Sequence, residues 1–236
     1  MKILGATWPP ILGLCLLLAA TFGCAEGPFA SMGAVNPWVR KRWAEEEQYG
    51  PTMQARLSEL DSLRGRIARM PAAEQQRVAQ DLSRRLRNEP NPLLRTSLVR
   101  TLAVCPSPDA SEALRLALND SDRDVRMAAC RAWRLRGGPE ALNALAGVVG
   151  SDTDFDVRME ATSALAEFRD PLAVQALGNA LDDPNPALQY RAIQSLKTVS
   201  DHDFGDNLTA WREFARGGSP PAPQQPSLVE RVRGWF

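Results

Sequence analysis

The feature that most constrains this chain is a period. The stretch DVRMAACRAW, starting at Asp124, is echoed by DVRMEATSAL, starting at Asp156. Upstream, NPLLRTSLVRTL sets Leu94 and Arg95 where Val125 and Arg126 fall later, and downstream NPALQYRAIQSL sets Leu188 and Gln189 in the same slots. Leu94, Val125, Val157 and Leu188 are spaced by 31, 32 and 31 residues. Pro108, Pro139 and Pro171 keep that beat, as do Leu114, Leu145 and Leu177. Three landmarks on one period define an internal repeat, and a unit this short buries its apolar face only by stacking on its neighbours.

Each unit reads as two helices. The first opens at or near a proline, as in PEALNALAGVV and PLAVQALGNAL, and stops at a polar break such as NDSD, GSDTD or DDPN. The second begins after an Asp or an Asn-Pro whose side chain can accept from the free N–H groups of the first turn. Its apolar face carries Val125, Ala129, Ala132 and Trp133, then Val157, Ala161, Ala164 and Leu165. The next copy has Leu188, Ala192, Ser195 and Leu196, with only Ser195 out of type. Composition agrees with helices, since aromatics make up 6% and Ala, Leu and Arg are abundant. The predicted fold is all-α, an α-solenoid (α/α superhelix) of about four two-helix repeats with helical caps.

The D-x-x-V-R-x-x-A-x-x-A-L pattern, carried here by Asp124, Val125, Arg126 and Ala129 and by Asp156, Val157, Arg158, Ala161, Ala164 and Leu165, resembles the HEAT-repeat family in its short, phycobilisome-lyase-type variety. The likeness covers about Ala72 to Gly217, is specific for fold and says little about function. The resemblance implies a stacking role for Asp124, Arg126, Asp156 and Arg158: the Asp caps its helix and the Arg reaches polar groups of an adjacent unit. Gln189 departs from the pattern, and the first copy lacks the Asp. The resemblance also implies that the second helices line a concave surface. Opposite their core faces lie two rows, Thr96, Met127, Met159, Tyr190 and Arg100, Arg131, Ser163, Gln194, with Arg134 beside them. Methionine and tyrosine suit adaptable binding surfaces, so Met127, Met159 and Tyr190 are the candidate partner-binding row and Arg100, Arg131 and Arg134 its basic lip. Burial of the row by curvature is the alternative.

The flanks divide the remainder. Residues 1–24 are expected to form a signal peptide, 25–53 a linker, 54–70 an N-terminal capping helix, 71–217 the repeat domain and 218–236 a proline-rich spacer with the short amphipathic tail SLVERVRGWF. The apolar run from Ile11 to Gly23 is short for a membrane span, and TFGC resembles a bacterial lipobox, which would make Cys24 a lipidation site. Cleavage after Ala25 and an uncleaved anchor are the other readings. The expected location is therefore the periplasmic side of the cell envelope, attached to a membrane. DNLTAWREFARG, with Leu208, Trp211 and Phe214 on one stripe, is expected to close the solenoid.

Lys plus Arg equal Asp plus Glu at 28 each, which removes a global charge bias toward nucleic acid. No phosphate-binding glycine loop, GxSxG, HExxH or paired-cysteine spacing occurs. Cys105 and Cys130 read as buried free thiols, with a disulfide as the alternative, and His202 sits in a polar turn, SDHDF. No metal site, cofactor or catalytic residue is expected. The expected function is a non-enzymatic scaffold that binds another protein or peptide and acts as a monomer. A bilin-lyase-like or other enzyme and a purely structural envelope protein are the alternatives.

Overall fold

The structure, a computed structural model, describes residues 50–221 together with Pro37, Trp38, Lys41 and Glu45. The leader with Cys24 and the SLVERVRGWF tail lie outside the described residues. The chain divides into two units, Met1–Arg56 and Leu57–Phe236, and the repeats belong to the second. Among the described residues every regular element is a helix: α1 Met53–Ile67, α2 Ala72–Asn88, α3 Pro92–Leu102, α4 Pro108–Ala117, α5 Arg123–Arg136, α6 Gly138–Ser151, α7 Phe155–Leu165, α8 Pro171–Ala180, α9 Pro186–Val199 and α10 Leu208–Ala215. Helices α2 to α9 pair into four repeats. The second helices α3, α5, α7 and α9 pack side by side in one layer, and the first helices form the other. This is the α-solenoid expected from the period.

The core lies between the layers and repeats with the sequence. Leu94, Val125, Val157 and Leu188 are all buried, as are Leu114, Leu145 and Leu177. Ser195, which breaks the alanine pattern, is buried too, and its hydroxyl donates across the seam to the Thr162 carbonyl at 3.0 Å. Thr101 holds the same slot at the other end, where its hydroxyl lies 2.9 Å from the Ser97 carbonyl of its own helix and 3.4 Å from the Leu60 carbonyl of α1.

The second helices are capped by Asn91, Asp122, Asp154 and Asn185, whose side chains accept from first-turn N–H groups. This corrects the expectation for Asp124 and Asp156. An N-cap residue has extended backbone, as Asp122 does at φ −93° and ψ 128°, whereas Asp124 and Asp156 already lie inside the first helical turn. There they favour the helix dipole. Asp156 also accepts from Arg123 of the preceding repeat at 2.9 Å.

Arg126 and Arg158 do span the seams. Arg126 forks onto the Asp152 carboxylate at 2.7 and 3.1 Å and donates backward to the Asp120 carbonyl at 2.9 Å. Arg158 pairs with Asp183 at 2.9 Å and donates to the Asp152 carbonyl at 3.0 Å. Arg95 forks onto Asp120 at 2.8 Å and donates to the Pro90 carbonyl at 2.9 Å. Each aspartate in turn accepts from the N–H two residues on, which fixes its loop. The result is a ladder of three forked rungs along one edge. Gln189 keeps only the backward bond, to the Asp183 carbonyl at 2.7 Å. No repeat comes after it with an aspartate for an arginine to meet.

At the far end α10 closes the stack. Trp211 is fully buried and its Nε1 donates to the Gly205 carbonyl at 2.9 Å. Gly178 on α8 has no room for a side chain, because a Cβ there would lie 2.7 Å from the Cβ of Ala215.

These contacts make two predictions about stability. Gly178→Val is expected to lower stability by about 1–3 kcal/mol through overpacking and to raise hydrogen exchange in α10 before α3 to α7; unchanged exchange in α10 would refute the close approach. The second concerns acid. Burial pushes the Asp120 carboxyl up, but hydrogen bonds from Arg95 and the Asp122 N–H and the charges of Arg95 and Arg126 outweigh it, so the group sits below its ordinary range. A carboxylate depressed in the folded state stabilises fully above its unfolded pKa, about 3.9, and that stability is lost as pH falls through the folded value. Melting temperature is therefore expected to hold down to about pH 5 and drop below about pH 4. Asp120→Asn should lower it at neutral pH and shallow the acid limb, and an unaltered limb would exclude Asp120 as a contributor.

Candidate interaction surface

The repeats differ most between the second and third. Helix α5 runs to Arg136, as α9 runs to the equivalent Val199, whereas α3 and α7 end a turn earlier at Leu102 and Leu165. Gly137 and Gly138, at φ 65° and 78°, turn the chain directly into α6, conformations open to glycine at little cost. Helix α6 consequently lacks the side-chain cap that Ser107 and Asp170 give α4 and α8. The extra turn of α5 is tied back by Arg136, which donates to the Cys105 carbonyl at 2.6 Å and to Ser111 Oγ at 2.8 Å.

The extra turn builds a groove on the second-helix side. Helices α1, α3 and α5 enclose about 560 Å³ lined by Asp61, Arg64, Gly65, Arg100, Ala103, Val104, Ala128, Arg131, Ala132 and Leu135. Arg100 of α3, with Ala103 and Val104 just past its end, forms the floor, and residues of α1 and α5 form the walls. Leu135 stands on the added turn with 66% of its surface exposed. Isolated exposed leucines are ordinary, but this one borders a concave apolar floor. Among the described residues Arg100 is exposed and has no ion-pair partner, whereas Arg64 pairs with Asp61 and Arg131 with Glu160.

A second cleft of about 680 Å³ separates α4 from α6 on the opposite face. Its charged lining is already committed: Arg126 to Asp152 in the ladder, and Arg115 to Glu140 across the gap. The concave groove is the better candidate, because it leaves both a cation and an aliphatic side chain without partners.

The structure sorts the residues singled out from sequence. Arg100 and Arg131 line the groove. Arg134 lies on the adjacent face of α5 and faces Glu167 at 3.5 Å, so two of the three lip arginines carry a paired carboxylate. Met127 and Met159 are half-buried against the core, and Thr96 is buried. Tyr190 is 58% exposed. The row is therefore not one continuous exposed strip. Sequence reasoning missed Leu135 and the α1 wall. Leu135 lies past the point where α3 and α7 end, and α1 is outside the period; the signal that was available is the Gly137-Gly138 pair.

Cys105 and Cys130 are buried and unbridged. Burial pushes their thiols up, to about 11 and about 12. His202 is exposed and packs on Phe214 with ring centroids 4.6 Å apart. No helix among the described residues is long and apolar enough to cross a membrane.

Two layers of paired helices define a helical-repeat scaffold. The model for HEAT repeats matches the chain over residues 79–166 and 151–213, more than half of its 236 residues. The chain belongs to the HEAT-repeat family. No curated protein matches it.

One interaction reaches across the layer at this site: Arg131 donates twice to Glu160 of α7, at 2.9 and 2.6 Å. Glu160→Gln is expected to cost under about 1 kcal/mol of stability, as for an ion pair with an exposed member, while freeing a second cation beside the groove. A loss of several kcal/mol would instead make the pair part of the fold's support.

Proposed function

We propose that this chain is a non-enzymatic scaffold whose concave groove holds another protein, and that an N-terminal anchor keeps it at a bacterial envelope membrane. The observation that carries the reading is the groove over α3, with Leu135 exposed at its wall and Arg100 unpaired on its floor. An aliphatic anchor beside a free guanidinium is what a partner's buried hot spot requires. HEAT repeats are commonly used for protein interaction, and rigid stacking presents such a groove without a folding cost at binding.

The non-enzymatic part rests on how the reactive groups are spent. Arginines and aspartates near the seams hold one another. Neither cysteine is a thiolate at neutral pH, since both thiols are raised well above it. The anchor rests on the apolar run Ile11–Gly23 followed by Cys24. Lipidation at Cys24, export and a periplasmic orientation form one reading with it.

A photo-crosslinking residue at Leu135 is expected to give an adduct in intact cells, while the same residue at Leu116, exposed on first-layer helix α4, gives none. Arg100→Glu with Leu135→Ser should remove the adducted protein from pull-downs while helical circular dichroism stays unchanged. Adducts from Leu116 alone, or none from either site, would overturn the groove; turnover of a small molecule lost with Arg100→Glu would overturn the non-enzymatic reading. Mass spectrometry of the mature N-terminus decides the anchor, with acyl mass on Cys24 as the expected result.

A further inference from the structure

The formal net charge is zero, but the charges are sorted along the stack. From Leu57 to Val104 there are nine arginines and five carboxylates, a net of +4. From Cys105 to Ser151 six arginines meet six carboxylates. From Asp152 to Gly218 twelve carboxylates meet six cationic residues, a net of −6. Three interaxial spacings of about 8–10 Å put α3 and α9 about 24–30 Å apart. That exceeds the screening length of about 8–10 Å in physiological salt, so the ends do not cancel, and anything touching one end meets its charge alone.

Exposed charges concentrate at the same places. At the basic end, Arg69, Arg77, Arg87 and Arg100 are exposed and unpaired among the described residues. Arg100 is the one on the floor of the groove between α1 and α5. At the acidic end, the turn between α9 and α10 carries Asp201, Asp203 and Asp206. The Asp201 side chain is 95% exposed with Arg169 3.8 Å away, that of Asp203 is 70% exposed and pairs with Lys197 at 3.2 Å, and Asp206 is exposed with no ion-pair partner among the described residues. The turn is held in shape from below, because Phe204 is buried against Trp211 and His202 packs on Phe214. It is a fixed acidic corner.

We propose that the groove between α1, α3 and α5 takes the acidic α9–α10 corner of a second copy of this chain, so that molecules associate head to tail. Charge complementarity selects the occupant: Arg100 meets Asp201 and Asp206, and Leu135 and Val104 supply the apolar wall. The contact joins two different surfaces, so its repetition builds rings or open chains rather than a two-fold symmetric dimer. This departs from the monomer expected from sequence. It rests on reading the groove as a protein-binding surface, and adds that the first partner is the chain itself.

The test is sedimentation velocity of the full-length chain, fluorescently labelled, in a non-ionic detergent. At about 50 mM salt the sedimentation coefficient should rise with protein concentration, and at about 500 mM it should stay at the monomer value. Arg100→Glu alone, and Asp201→Lys with Asp206→Lys, should each abolish the rise while helical circular dichroism is retained. Mixing the two variants should restore it, because each then supplies the charge that the other lacks. A chain that is monomeric at both salts overturns the proposal. So does association that survives either variant, or variants that fail to rescue one another. A monomeric chain that still gives the Leu135 adduct with a foreign protein removes the self-contact and leaves the scaffold reading standing.

Discussion

An arginine that must serve two loops at once sets the terms for this molecule. Arg95, Arg126 and Arg158 each sit near the start of a second helix, turn back to carbonyls of the loop before it, and fork onto the aspartate of the next repeat's loop. The planar fork matters: two donors meet the carboxylate while a third reaches the carbonyl, a division that a lysine ammonium on a flexible stem makes poorly. The ion pairs are largely shielded from water, and losing one partner leaves a desolvated charge, which costs more than forming the pair gains. The rungs thus fix the stagger of one repeat on the next, while alanines at Ala129, Ala161 and Ala192 let the helices approach.

With the ladder edge held, variation is confined to the opposite edge, where the chain turns from each second helix to the next first helix. The sharpest change is the continuation of α5 to Arg136 and the two-glycine turn behind it. That one change removes the cap of α6, leaves α4 and α6 separated by a cleft, and raises Leu135 above the floor of α3. Across the same seam α5 presents Arg123 and Arg131 to Asp156 and Glu160 of α7, and Arg134 to Glu167 just past its end. These exposed pairs act where first-layer packing is missing, and each is worth little alone.

Much of this was legible in the sequence. The period, the prolines at helix starts and the arginine after Val125 and Val157 placed eight helices and two of the three rung arginines. The caps were misassigned by two residues, since Asp122 and Asp124 are chemically alike and only backbone geometry separates a residue before the helix from one inside it. Met127 and Met159 looked outward on an ideal helical wheel, yet stacking on both sides covers half of each. A wheel describes one helix, and burial in a solenoid depends on its neighbours' spacing. The groove was invisible for a related reason, because one wall belongs to α1, which shares no period with the repeats.

The ladder also has a direction, and Gln189 is where it stops. Each arginine hands the stack on to an aspartate ahead of it, but Gln189 only reaches back. Duplicating a middle unit would carry its own arginine and aspartate along and leave the handover intact. A unit appended after α9 would arrive at a glutamine with nothing to offer it, and would have to displace α10, whose Ala215 is seated against Gly178. The ladder thus has room for a unit set between its rungs and none at its tip, where a single side chain declines the bond that would carry it on.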